Sequence, residues 1–133
     1  MADRRTMTLA AFQQACRDQG MPSPMDLAVV CPACGTVQSA RDLIAAGAGA
    51  DFEEVRKKLG FSCVGRYSGA PSPRPVPDGK PCDWTLGGLF QIHTLEVIAD
   101  DGKAYPLFEL ATPQQAQRHL KTQNLSAAVG GEA

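Results

Sequence analysis

Aromatic residues and excess charge are both scarce in this chain. Of its 133 residues 6% are aromatic, and 13 basic residues stand against 14 acidic ones, for a formal net charge of −1. A chain this close to neutral has no overall field that attracts nucleic acid or an anionic membrane. No apolar run reaches the roughly 18 to 20 residues of a membrane span, and none follows Arg4 and Arg5 as a secretory signal requires. We therefore expect a protein of the reducing cytoplasm, with no membrane partner.

Glycine and proline, by contrast, are abundant at 13 and 10 residues, which is typical of a loop-rich fold. A chain of this length forms one domain with a single core. We assign residues 1–121 to that domain and residues 122–133 to a mobile C-terminal tail. Five prolines from Ser68 to Pro81 remove backbone donors, so residues 68–81 are predicted to form a variable loop.

Short helices are predicted where a capping residue precedes apolar residues at helical spacing. The helix after the third cap has apolar residues on one side, which indicates a buried inner face. The fourth helix has Pro113 at its first position and is expected to end near Lys121. The four caps are Thr8, Ser39, Asp51 and Thr112.

One β-hairpin is predicted from about Leu89 to Leu110. Its turn is Asp100-Asp101-Gly102, in which the glycine supplies the positive φ of a tight turn. Pro106 has no N–H for a ladder hydrogen bond, so the return strand is expected at a sheet edge. The fold class is therefore α+β, with a small antiparallel hairpin and short flanking helices.

Four of the five cysteines have the surroundings of metal ligands. Cys31 and Cys34 form a Cys-x-x-Cys turn, preceded by an apolar run and followed by Gly35, as in a rubredoxin-type knuckle. Cys63, with a glycine two residues later, resembles half of a second knuckle, and the Pro-rich loop can bring Cys82 to it at little entropic cost. We predict a zinc-ribbon or knuckle domain in which four thiolates hold one structural Zn²⁺. The predicted ligands are Cys31, Cys34, Cys63 and Cys82.

Other interpretations of the cysteines stay open. They could be ordinary buried thiols or a redox dithiol, although a redox Cys-x-x-Cys opens a helix and Gly35-Thr36-Val37 continues as turn and strand. His93 could replace one cysteine as a ligand, but its place in a strand favours a core or surface histidine. Cys16 falls on the apolar face of the first helix, where packing explains it.

The sequence favours a non-enzymatic protein. His93 with Cys63 or Cys82 would make a nucleophile pair, but the metal site uses those thiolates. Zinc held by three cysteines and a water would be catalytic, yet the His-x-Glu element of zinc deaminases does not precede Cys31. No catalytic residue is assigned.

Two segments are candidates for recognition. Arg56-Lys57-Lys58 with Arg66 is the basic cluster; acidic neighbours within one helical turn favour a solvated helix face, and phosphate contact is the alternative. In the second segment, Trp84 is expected to cover the metal site and Gly87-Gly88 to form a bulge, with a recognition loop as the alternative. No lysine, serine or helix start follows these glycines, so a phosphate-binding loop is disfavoured.

Three segments carry a string of cysteine, glycine and aromatic motifs: VCPACGTVQSARDL, LGFSCVGRY and CDWTLGGLFQIHTLEVIADDGKAYPLFELA. This string, from about Thr8 to Ala111, resembles that of a family of uncharacterised phage and prophage proteins. The Pro-rich loop is longer here, and the helix from Thr112 departs from the family pattern. The resemblance implies a phage or mobile-element protein in a bacterial cytoplasm, and no mechanism. The positions matched are the four cysteines together with Arg66, Gly87, Gly88 and Phe90.

We therefore expect a zinc-stabilised accessory protein that binds a host or phage macromolecule, such as a component of host defence. A protein partner is favoured over nucleic acid, and no small-molecule substrate is predicted. A nucleic-acid-binding zinc ribbon is one alternative, and a nucleotide or small-molecule binder or enzyme is another. The possible recognition residues are Arg66, Trp84, Gly87, Gly88, Phe90 and His93.

Overall fold

The fold combines helices and two small β-sheets, as the α+β expectation requires. A computed structural model describes residues 5–73, 77–85 and 95–130. The elements in chain order are β1 (Arg5–Thr8), α1 (Leu9–Asp18), β2 (Val29–Val30), β3 (Val37–Gln38), α2 (Ala40–Ala45), α3 (Phe52–Leu59), β4 (Leu95–Ile98), β5 (Ala104–Leu107), β6 (Glu109–Leu110) and α4 (Pro113–Gly130). Short 3₁₀ turns occupy Pro24–Asp26 and Val64–Tyr67.

The predicted helix caps are confirmed. The Thr8 hydroxyl accepts from the Ala11 N–H at 3.1 Å, and the Asp51 carboxylate accepts from the Glu54 N–H at the same distance. The Ser39 N–H donates to the carboxylate of Asp42, three residues into α2. Each bond satisfies a donor that the first turn of a helix leaves free.

Helix α4 is longer than the sequence indicates. The Thr112 hydroxyl accepts from the Gln115 N–H at 3.1 Å, which confirms the predicted start. The helix then continues past Lys121 to Gly130, because no proline or glycine interrupts it before that residue. The mobility of residues 122–133 stays a prediction.

The predicted hairpin is confirmed where the structure describes it. Strands β4 and β5 pair antiparallel, and Gly102 in their turn has φ +81°. Strand β5 lies at the edge of its sheet, as Pro106 indicates. Residues 89–94 of the predicted first strand lie outside the described residues.

The predicted return strand is wrong in one respect, because it divides between two sheets. One sheet has the order β1-β4-β5, with β1 parallel to β4, and the other has the order β3-β2-β6. The chain changes sheets at Phe108, whose ring is buried at 1% exposure and whose N–H donates to the Gly60 carbonyl at 2.9 Å. Burial of this large ring stabilises the fold at the point where the ladder is interrupted.

An ion pair spans the two sheets. The Arg5 guanidinium in β1 meets the Glu109 carboxylate in β6 through two contacts, of 2.6 and 3.3 Å. The Arg5 side chain is 59% exposed, so this pair contributes little to stability.

The main core is built around the cysteines. Buried residues from β2, α2 and α3 pack with Trp84, Phe108 and four of the cysteines into one cluster. A second, smaller cluster consists of Ala28, Ala111 and Ala116, and through Ala116 it packs the start of α4 against the fold. Among the described residues, no helix is both long and apolar enough to cross a membrane.

Candidate metal centre

Four cysteine sulfurs meet in the main core. The Sγ atoms of Cys31, Cys34, Cys63 and Cys82 lie within 4.8 Å of one another, and all four residues are buried. Cys31 and Cys82 are separated by 3.9 Å between sulfurs, and Cys34 and Cys63 by 3.7 Å. A tetrahedral zinc with bonds of about 2.3 Å requires sulfurs about 3.8 Å apart. The cluster could therefore hold a metal ion.

A local turn presents the first two sulfurs. The Cys31 N–H donates to the Thr36 carbonyl at 3.0 Å, and the Gly35 N–H donates to the Cys31 carbonyl at 2.8 Å. Gly35 has φ +81°, a conformation that side-chain-bearing residues rarely adopt. The backbone N–H groups of Ala33 and Cys34 act to lower the pKa of the Cys31 thiol. The turn at residues 31–36, here called the first knuckle, is thus compatible with the predicted zinc knuckle.

The other two cysteines are brought together by a short bridge. Ser62 pairs with Thr85 in an antiparallel bridge, and the Cys63 N–H donates to the Trp84 carbonyl at 3.0 Å. The Cys82 N–H points at the Cys63 sulfur at 3.5 Å. These contacts place two cysteines that are 19 positions apart in sequence on one side of the cluster.

Backbone N–H groups lie beside several of the sulfurs. The Trp84 N–H donates to the Cys82 sulfur at 3.5 Å, and backbone N–H groups act to lower the pKa values of Cys31 and Cys63. Such donors stabilise negative charge on sulfur, because each N–H dipole points at the thiolate. The arrangement is suited to a metal held by thiolates.

The described part of the Pro-rich loop lies across the first knuckle. The Gly79 N–H donates to the Cys34 carbonyl at 2.7 Å, and the Asp83 N–H donates to the Pro71 carbonyl at 3.1 Å. The Pro77 side chain lies close to Gly35. No helix or strand occurs in residues 68–73 or 77–81. The loop therefore shields the knuckle from solvent.

Burial and hydrogen bonds shift the pKa values of three of the thiols in opposite directions. A hydrogen bond from the Cys31 thiol, with backbone donors, lowers the pKa of Cys63 to about 5. The same hydrogen bond, together with burial, raises the pKa of Cys31 above its ordinary range. Burial raises the pKa of Cys82 to about 12. A divalent ion at the centre would reverse these increases, because coordination deprotonates a thiol.

The predicted recognition residues fall into two groups. Trp84 is buried at 8% exposure beside the cysteines and stacks on Phe108, with ring centroids 5.6 Å apart. Arg66 is exposed, and its guanidinium donates to the Asp83 carbonyl at 3.0 Å. The remaining four lie outside the described residues, and so do the alternatives that rest on His93; these are Gly87, Gly88, Phe90 and His93.

Two residues at the site were not predicted. The Thr36 hydroxyl lies 3.1 Å from the Cys34 sulfur, and the buried Gln38 side chain bonds the backbone on both sides of Cys63. Neither residue type has a local pattern that distinguishes such a contact from an exposed position. Cys16, by contrast, is half-buried on α1 and lies outside the cluster.

Comparison with known proteins gives one match. A family model described as VVA0879-like covers residues 8–111, which include the four clustered cysteines and end just before α4. The description of that family names neither an activity nor a phage origin. No curated protein and no solved structure matches the chain.

Proposed function

The chain belongs to the VVA0879-like family, and we propose that it is a non-enzymatic binding module whose fold is held together by one structural zinc ion. The observation that carries the proposal is the set of four buried sulfurs within 4.8 Å of one another, two pairs of which stand 3.9 and 3.7 Å apart, close to the tetrahedral separation. Structural zinc sites use four protein ligands, whereas catalytic sites keep one position open. The convergence of four buried sulfurs therefore favours a structural site over a catalytic one.

Zinc is the metal that this donor set favours. Four thiolates in a tetrahedron suit zinc or iron, and the oxygen ligands preferred by magnesium and calcium are missing from the cluster. The ligands that would hold it are Cys31, Cys34, Cys63 and Cys82. Bound there, zinc would link the first knuckle to the Cys63–Cys82 side and so supply folding energy.

We expect the protein, purified without added metal, to contain about one zinc ion per chain. Elemental analysis by mass spectrometry measures this directly and separates zinc from iron. Cys16→Ser is the matched control, because this cysteine lies outside the cluster and its removal should leave the metal content unchanged. Protein that is fully folded and free of zinc would contradict the proposal.

The partner that we propose is a protein, and the chemistry of the basic cluster supports this over nucleic acid. Arg56 pairs with Glu53 at 3.1 Å, and Lys58 bonds the Ala48 carbonyl beneath the Tyr67 ring. Arg66 is bonded to the loop. Three of the four cations of the cluster therefore have partners within the chain, and Lys57 is exposed. The resemblance to phage and prophage proteins suggests that the partner is a host or phage protein.

We expect no specific binding to nucleic acid. In fluorescence anisotropy with labelled duplex DNA and single-stranded RNA, Kd should be weaker than about 10 µM at about 150 mM salt. The double variant Lys57→Ala/Arg66→Ala serves as the control, since it removes exposed positive charge without touching a cysteine. Tight binding that weakens with salt, and weakens again in this variant, would favour the alternative of a nucleic-acid-binding zinc ribbon.

The residues 86–94 carry the other open alternative. A small-molecule or nucleotide site using Gly87, Gly88 and His93 stays a prediction, as does a role for Phe90 in recognition. Trp84, whose ring is buried beside the cysteines, lies two residues before this segment in the sequence.

A further inference from the structure

A buried glutamine side chain lies beside the metal centre. Gln38 has no exposed surface, and its amide makes three hydrogen bonds to backbone groups. Its Nε2 donates to the carbonyls of Leu59 and Ser62, both at 2.9 Å, and its Oε1 accepts from the Val64 N–H at 2.7 Å. Every one of these bonds is needed, because a buried polar group without a partner costs about 1 to 3 kcal/mol.

Two of the three bonds flank a ligand directly. Ser62 precedes Cys63 and Val64 follows it, so the Gln38 amide binds the carbonyl on one side and the N–H on the other. An adjacent β-strand would make the same pair of contacts. The backbone on both sides of Cys63 is thereby fixed relative to the Gln38 side chain.

Gln38 itself is fixed relative to the first knuckle. It lies in β3, four residues after Cys34, and pairs antiparallel with Val29 in β2, two residues before Cys31. One side chain therefore joins the strand pair of the first knuckle to the segment of the third cysteine. The sulfurs of Cys34 and Cys63 stand 3.7 Å apart across this connection.

We propose that Gln38 is a positioning residue of the metal site, which holds Cys63 at coordination distance in the folded protein. This inference rests on the proposed metal site, and it explains how Cys63 is placed within that site. Groups that orient metal ligands typically change metal affinity by roughly 10- to 100-fold when removed. Methionine in place of Gln38 conserves the volume but loses all three bonds.

The chain supplies a matched control in Gln19. This residue is also buried, at 2% exposure, and its amide also makes three backbone bonds, at 2.8 to 3.0 Å. Its partners are Ala28 and Ala111 in the smaller cluster, and neither adjoins a cysteine. Gln19→Met therefore removes a buried amide with three backbone hydrogen bonds, as Gln38→Met does, but leaves the cysteine segments unchanged.

The test compares cobalt binding by the full-length wild type, Gln38→Met and Gln19→Met. Co²⁺ bound to four thiolates absorbs in the visible and near-ultraviolet, and competition with zinc gives the relative affinity. We expect Gln38→Met to bind roughly 10- to 100-fold more weakly than Gln19→Met and to show altered bands, because Cys63 no longer meets the metal correctly. Equal losses in both variants with an unchanged spectrum would overturn the inference and leave Gln38 a structural residue.

A second variant decides the matter if Gln38→Met does not fold. Val64→Pro deletes the single N–H that Gln38 Oε1 accepts. Val64 is the first residue of a 3₁₀ turn, where proline is tolerated, and Cys63 has φ −67° and ψ 143°, a conformation favoured before proline. We expect altered cobalt bands and a several-fold weaker affinity; wild-type bands and affinity would overturn the inference. If the wild type itself binds neither metal, the proposed function fails instead.

Discussion

Replacing Cys63 by serine is expected to leave the protein without a cooperatively folded state. The four clustered cysteines belong to the main core, so their loss affects the packing of Trp84 and Phe108 directly. Structural zinc contributes about 10 to 16 kcal/mol of apparent binding energy, and a domain has only about 5 to 15 kcal/mol of net stability. The free energy lost when one ligand or the metal is removed should therefore be larger than the net stability that the rest of the fold supplies.

The single tryptophan reports on this unfolding. Trp84 is buried and stacked on Phe108, so its fluorescence should shift to the red when the core opens. We expect Cys63→Ser, and wild type treated with a strong chelator, to show this shift and to lose the thermal transition in circular dichroism.

Cys16→Ser is the control for a cysteine that the metal does not use. It lies half-buried on α1, outside the cluster, and its replacement should change stability by about 1 kcal/mol or less. A chelated protein that keeps both its cooperative melting and its blue emission would show that the metal is not structural.

A methyl group added at Gly65 is expected to disrupt the metal site, because it would collide with the backbone of Cys82. A Cβ there would stand 2.5 Å from the Cys82 carbonyl oxygen and 2.8 Å from the Cys82 nitrogen. Both are backbone atoms of a ligand residue, so relief of the clash must move Cys82. We expect Gly65→Ala to destabilise by about 3 kcal/mol or more, at or beyond the upper end of ordinary overpacking.

Gly60→Ala gives the comparison. Its Cβ would meet the Leu107 Cδ2 atom at 3.3 Å, the end of a flexible side chain that can yield. Chemical denaturation should therefore place Gly60→Ala within about 1 kcal/mol of wild type and Gly65→Ala far below it. Zinc content should fall in Gly65→Ala alone. Equal stabilities for the two variants would mean that the Cys63 and Cys82 segments are not held in fixed register.

Much of the fold could be predicted because its signals are local. The side chains of Thr8 and Asp51 each accept from a backbone N–H three residues away, the Ser39 N–H donates to the Asp42 carboxylate, and the hairpin turn needs only a glycine at position 102. The knuckle at Cys31 is equally local, since its turn closes within five residues. Short-range geometry of this kind can be read from residue type and spacing.

Apart from the length of α4, the errors and omissions involve distant partners. Strand β1 pairs with β4 across about 90 positions, and the predicted return strand divides at Phe108 to serve two sheets. No sequence pattern near Phe108 indicates the change, because burial beside Trp84 causes it. Similarly, Gln38 and Gln19 resemble surface residues until the backbone groups they bind are known.

The sequence by itself determined the fold class and the candidate ligands, because Cys31, Cys34 and Cys63 lie in a turn or half-turn of recognisable geometry. Tertiary structure alone decided that the four sulfurs meet within 4.8 Å of one another and that the Gln38 amide binds the backbone on both sides of Cys63. The physical reason is the range of the interactions. Turns and caps are fixed by neighbouring residues, whereas the meeting of four sulfurs depends on how separate elements pack.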